Sequence, residues 1–139
     1  MTTRPLVPLV GFAAACILAC GLPGTAYADA TGSISLSGFG TPPQANYVEC
    51  DYSWSGCTGA VTCEVKLFKG TVNNKEAAVE VATGGASPIG ESGNGHTEWR
   101  GGGVAKKFMT GDTVFARLRI LNNTGAAIIT KYSTDFTVP

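Results

Sequence analysis

The chain has a single histidine, His96, in the run Gly93-Asn94-Gly95-His96-Thr97-Glu98-Trp99-Arg100. Imidazole is the side chain suited to moving protons near neutral pH, so acid–base chemistry here would have to run through it. A Ser/His/Asp triad needs that ring hydrogen-bonded on both sides. Serines and aspartates are available, but no G-x-S-x-G elbow occurs. In Gly90-Glu91-Ser92-Gly93 the serine stands one residue too close to the first glycine. Glycoside hydrolysis needs two facing carboxylates, and Glu91 with Glu98 is the pair this segment offers. Cys57 with His96 would make a thiol dyad, but an oxidising compartment favours disulfides instead. The expectation is a protein that is not an enzyme, a small secreted hydrolase being the remotest reading. No cofactor is expected. Gly101-Gly102-Gly103-Val104-Ala105-Lys106-Lys107 lacks the G-x-x-x-x-G-K-[ST] spacing of a phosphate cradle, and no helix follows it.

Binding chemistry is better represented. Trp99 and Arg100 stand side by side with glycines before and after them. These two residue types dominate interface energetics, because they bury large area and offer directed donors. With His96 and Glu98 they form the binding site expected from the sequence, carried on a glycine-rich loop over residues 83–103, which hold eight glycines. The competing expectation is that Trp99 plugs the core from a short strand at 96–100. Trp54 is expected in the core, since it alternates with Cys50 and Tyr52.

Five cysteines are present, and Cys16 and Cys20 fall in an N-terminal targeting segment. Cys50, Cys57 and Cys63 remain, spaced C-x6-C-x5-C. That spacing contains no C-x2-C zinc pair, and with one histidine no metal site is expected. The expected disulfide is Cys50–Cys63, with Cys57–Cys63 as the alternative. Its basis is a hairpin in which Val48, Cys50, Tyr52 and Trp54 share an apolar face with Val61, Cys63, Val65 and Leu67 across the turn at 55–59.

The elements that must position these groups read as strands. Alternation runs through Ile34 and Leu36, through Ala77, Val79 and Val81, and through Val114, Ala116, Leu118 and Ile120. It continues from Ala126 through Ile128, Thr130, Tyr132, Thr134 and Phe136 to Val138. Asn73-Asn74 and Asn122-Asn123-Thr124-Gly125 supply turns. A further strand is expected over 104–109. No window carries a sustained helical apolar pattern. Seven to eight strands with frequent turns imply an all-β fold. The expected form is an antiparallel two-sheet sandwich, immunoglobulin- or fibronectin III-like. The stretch from Phe108 to Ile120 resembles the penultimate strand of such domains; Val114 stands where their corner tyrosine would be.

Residues 1–28 read as a secretory signal peptide: Arg4, then an apolar run, then Ala26-Tyr27-Ala28 as the cleavage site. Ile17-Leu18-Ala19-Cys20 offers the alternative of a lipid anchor on Cys20 at the cell surface. Residues 29–139 are expected to form one domain. The whole chain has 139 residues, with ten basic and ten acidic side chains. Losing Arg4 leaves nine against ten. Neutrality of this kind argues against nucleic acid as a partner, and no membrane insertion is expected after signal cleavage. The functional expectation is a small secreted, non-catalytic protein that binds a protein or glycan partner through loops. The alternative is a structural or cell-surface coat protein that self-associates, since low net charge favours association.

Overall fold

A computed structural model describes residues 29–38, 44–102 and 107–139. The expected signal segment lies outside them, as does most of the strand expected at 104–109; Lys107 to Met109 are not in a strand. Among the described residues no helix is long and apolar enough to cross a membrane.

Among the described residues eight strands form two antiparallel sheets. The first sheet contains β1 (Thr31–Ser37), β2 (Tyr47–Ser55) and β5 (Gly93–Arg100), with β2 in the middle. The second runs β4 (Val79–Ala86), β3 (Ala60–Lys69), β6 (Thr113–Asn122), β7 (Ala127–Tyr132), and β8 (Phe136–Thr137) also pairs with β6. This is the all-β antiparallel sandwich the alternation implied. The inward residues are those the period of two selects. Val48, Cys50, Tyr52 and Trp54 from β2 meet Cys63, Val65 and Leu67 from β3 and Val114, Ala116, Leu118 and Ile120 from β6. Such opposed apolar faces supply most of the driving force for folding.

The hairpin expected between 47–55 and 60–69 does not form. β2 pairs with β1 and β5, and β3 pairs with β4 and β6. Gly56 and Gly59 take φ of 67° and 83°, a region open to glycine, and there the chain crosses from one sheet to the other. Alternation shows which face of a strand is apolar; it does not show whether two strands lie side by side or face to face. The cysteine expectation falls with the hairpin. Cys50, Cys57 and Cys63 are unbridged, buried thiols, so neither Cys50–Cys63 nor Cys57–Cys63 is a disulfide in this structure.

The glycine-rich stretch 83–103 is also mostly strand. β4 runs to Ala86 and β5 starts at Gly93. In β5 the glycines face inward because aromatic rings lie against them. A Cβ on Gly93 would stand 2.7 Å from the Trp54 ring, and one on Gly95 would stand 2.5 Å from Tyr52. Asn73-Asn74 lies in a short 3-10 helix, Val72–Ala77, rather than a simple turn. The Asn122 turn is as expected. The Asn122 side-chain oxygen accepts from the backbone N–H of Thr124 and of Ala126, closing the β6–β7 hairpin.

Candidate functional site

Three of the four residues expected to bind share the outer face of the first sheet. β5 alternates, so His96, Glu98 and Arg100 point outward while Thr97 and Trp99 point inward. Across the ladder, Asp51 pairs directly with His96, Glu49 with Glu98 and Tyr47 with Arg100. Directly opposed residues on one face have Cβ atoms about 5 Å apart, which brings these side chains into contact.

His96 Nδ1 lies 2.8 Å from Asp51 Oδ1, and Nε2 lies 3.0 Å from Glu98 Oε2 and 3.6 Å from Glu49 Oε1. The hydrogen bond to Asp51, then that to Glu98, raises the His96 pKa to about 9, so the ring is an imidazolium at neutral pH. The Tyr47 hydroxyl donates to Glu98 Oε1. That bond, followed by the one to His96, holds the Glu98 carboxyl below its ordinary range. The Arg100 guanidinium lies over the Tyr47 ring, 4.9 Å from its centroid, and donates to Gln44 Oε1 at 2.6 Å. Carboxylates occupy both ring nitrogens of His96, which leaves neither to activate a hydroxyl or thiol.

Trp99 does not belong to this surface. It is 8% exposed and packs in the core. Its indole N–H donates to the Thr83 carbonyl of β4 at 3.0 Å, spanning the gap between the two sheets. The loop reading failed because the flanking glycines belong to a strand, so the tryptophan gains a core position from its alternation. A hollow of about 210 Å³ opens beside Trp99, Arg100 and Phe108.

A second site was not foreseen from the sequence. On the outer face of the second sheet, Phe68, Phe115 and Tyr132 form an aromatic cluster. The Phe68 and Phe115 rings stack at 5.4 Å between centroids, and Phe115 meets Tyr132 at 6.2 Å. Two cations flank it. Lys75 Nζ lies 5.1 Å from the Tyr132 ring centroid, and the Arg117 guanidinium lies 5.2 Å from that of Phe68. With Glu76 these residues line a cavity of about 300 Å³. The 3-10 helix forms one wall and is tied down by the Val72 N–H, which donates to Asp135 Oδ1 at 2.8 Å. Arg117 is held by Glu64, which also accepts from Arg119.

The signal for this site was present in the strand phase. In β3 and β6 the inward positions are aliphatic apart from Cys63, yet Phe68 and Phe115 fall on the outward phase, beside Lys66 and Arg117. Large apolar groups on the wet phase of two paired strands mark a covered or ligand-binding surface. The alternation from Ala126 to Val138 puts Tyr132 in phase with Val138, which is buried, but the stretch is two strands, β7 and β8, and the phase does not carry across the break. Pairing resolves it: Tyr132 lies opposite the outward Arg117, and Ile129 opposite the buried Ile120. No family model, no curated protein and no solved structure matches this chain.

Proposed function

We propose that this is a small secreted, non-catalytic β-sandwich protein that binds a protein or glycan partner, with the contact surface on a sheet face rather than on loops. The observation that carries this reading is the aromatic cluster on the outer face, with Phe68 and Tyr132 packed over the buried Phe115 beside a cavity of about 300 Å³ edged by Lys75, Glu76 and Arg117. A concave apolar surface with a few charged groups at its rim is the usual form of a small-ligand site. Of the two partner classes the chemistry favours a glycan. The apolar face of a sugar ring stacks on aromatic rings, and its hydroxyls bond to ammonium, guanidinium and carboxylate groups at the edge.

The two antiparallel sheets, of three and five strands among the described residues, support placing the sandwich with the immunoglobulin and fibronectin III types. Export rests on the segment 1–28, with release at Asp29 as the main route and a lipid on Cys20 as the other. The self-associating coat protein remains the second reading, supported by nine basic against ten acidic groups after cleavage.

A glycan array probed with the wild-type protein, Tyr132→Ala and Phe68→Ala tests the proposal. Wild type should retain a defined set of glycans. Each variant should bind them at least about thirtyfold more weakly, the loss of about 2 kcal/mol expected of a central aromatic anchor. Arg100→Ala, on the other sheet, should bind as wild type. Absence of glycan binding, together with homo-oligomers that grow with concentration in sedimentation, would replace this reading with the coat protein.

A further inference from the structure

We propose that Glu49, His96 and Glu98 form a binding site for a divalent transition metal of the zinc type on the outer face of the first sheet. The site lies on the opposite side of the sandwich from the aromatic cavity, so it stands or falls independently of the glycan reading.

The argument begins with the ladder. Glu49 and Glu98 are direct cross-strand partners, and so are Asp51 and His96. Two residues at i and i+2 on β2 therefore face two at i and i+2 on β5, on one surface. Like charges directly opposite each other destabilise a sheet, and Glu49 opposite Glu98 is such a pair. A dication between them would turn that repulsion into attraction.

The distances suit coordination. One ligand atom from each of Glu49, His96 and Glu98 lies within 4.8 Å of the other two. In a tetrahedral zinc site with bonds of about 2.0–2.2 Å, ligand atoms stand about 3.3–3.6 Å apart. From His96 Nε2 the Glu49 oxygen lies at 3.6 Å, at that spacing, and the Glu98 oxygen at 3.0 Å, a little inside it. The oxygens of Glu49 and Glu98 lie within 4.8 Å of each other, so a metal would draw the two carboxylates together.

The outer contacts aim the donors. Asp51 engages Nδ1, which keeps a ring proton there and aims Nε2 at Glu49 and Glu98, so that the Nε2 proton is the one a metal would displace. A carboxylate behind a histidine that faces a metal is the arrangement that orients such ligands and raises their basicity. Tyr47 does the same for Glu98: its hydroxyl takes Oε1 and leaves Oε2 facing the imidazole. A nitrogen donor with two carboxylates selects zinc-type ions over calcium or magnesium, which prefer all-oxygen shells. Three protein ligands leave the fourth position to water. Binding exchanges one proton on Nε2 for the metal, and that proton leaves to solvent.

The test is titration of the protein, purified without an affinity tag, with zinc chloride in a calorimeter. Cobalt(II) serves as the spectroscopic probe. Wild type should take up one zinc per chain and give the visible absorption of four-coordinate cobalt. His96→Ala, Glu49→Gln and Glu98→Gln should each weaken binding tenfold or more and abolish the cobalt spectrum. Asp51→Asn, a positioning change, should weaken zinc about tenfold while the cobalt bands persist. Glu80→Gln, on β4 of the other sheet, should bind as wild type. Circular dichroism of each variant verifies folding. No stoichiometric zinc uptake by wild type, or full affinity in a folded His96→Ala, would overturn the proposal.

Discussion

Replacing Trp99 with alanine removes an indole that closes the gap between β4 and β5. The side chain is 8% exposed and packs with Val81, Phe108 and other members of the central cluster. Truncating a core tryptophan costs about 3–5 kcal/mol, part from lost transfer free energy and part from the cavity left behind. The Thr83 carbonyl also loses its indole donor. Thr83 is exposed on an edge strand, so water replaces that bond and adds little to the cost. A domain of this length has about 5–15 kcal/mol in total, so the variant should remain folded only narrowly. With an unfolding entropy of about 2 cal/mol/K per residue, the midpoint temperature should fall by roughly 15–20 °C. Trp99→Phe keeps most of the packing and should lose about 1–2 kcal/mol. Urea unfolding followed by circular dichroism measures both variants, with the slope against denaturant checked for constancy. A loss below about 1 kcal/mol for Trp99→Ala would refute the core assignment and return this residue to the surface.

Two other outcomes follow from the charged groups and the thiols. His96 has a folded pKa of about 9 against 6.5 for the free side chain, so the folded state holds its proton more tightly. The stability this provides is complete below about pH 6.5 and is lost as pH rises through 9. Glu98 is lowered, so its contribution is present above its ordinary pKa and lost on acidification. Urea midpoints measured from pH 6 to 9 should decline more steeply for wild type than for His96→Asn; parallel profiles would contradict the network. Burial raises the Cys50 thiol to about 12 and Cys63 to about 11, and raises Cys57 as well. At pH 8 all three should resist a thiol-exchange reagent in the folded protein and react after denaturation, as peptide mapping would record. Rapid labelling of the native protein, or a bridged peptide among the products, would contradict three buried thiols.

The strands, their apolar faces and the Asn122 turn were legible because each depends on local periodicity. Which strands pair was not. Cys50 and Cys63 share an apolar phase in either arrangement, and only the crossing at Gly56 and Gly59 decides between a ladder and opposed sheets. The glycines at 93 and 95 misled for a related reason. In sequence they signal a loop, but in the sandwich they make room for Trp54 and Tyr52, a long-range steric demand. The site was half legible: His96, Glu98 and Arg100 lie on one face because they are two apart in a strand. Their partners Glu49, Asp51 and Tyr47 come from β2, 45 to 53 positions earlier, and depend on a register no local pattern encodes.

Trp54 and Trp99 are the two tryptophans of the chain. Both are buried, and each indole N–H donates to a main-chain carbonyl, Trp54 to Gly90 and Trp99 to Thr83, each at 3.0 Å. Every source of indole fluorescence in the described domain therefore lies between the sheets, and none lies on either outer face. Emission should be blue-shifted in the folded protein and move to the red only as the sheets part. A ligand on the aromatic face or an ion on the charged face that leaves the interior packing unchanged should also leave the emission wavelength unchanged. The chain carries its own optical gauge of sandwich closure, separate from occupancy of either surface.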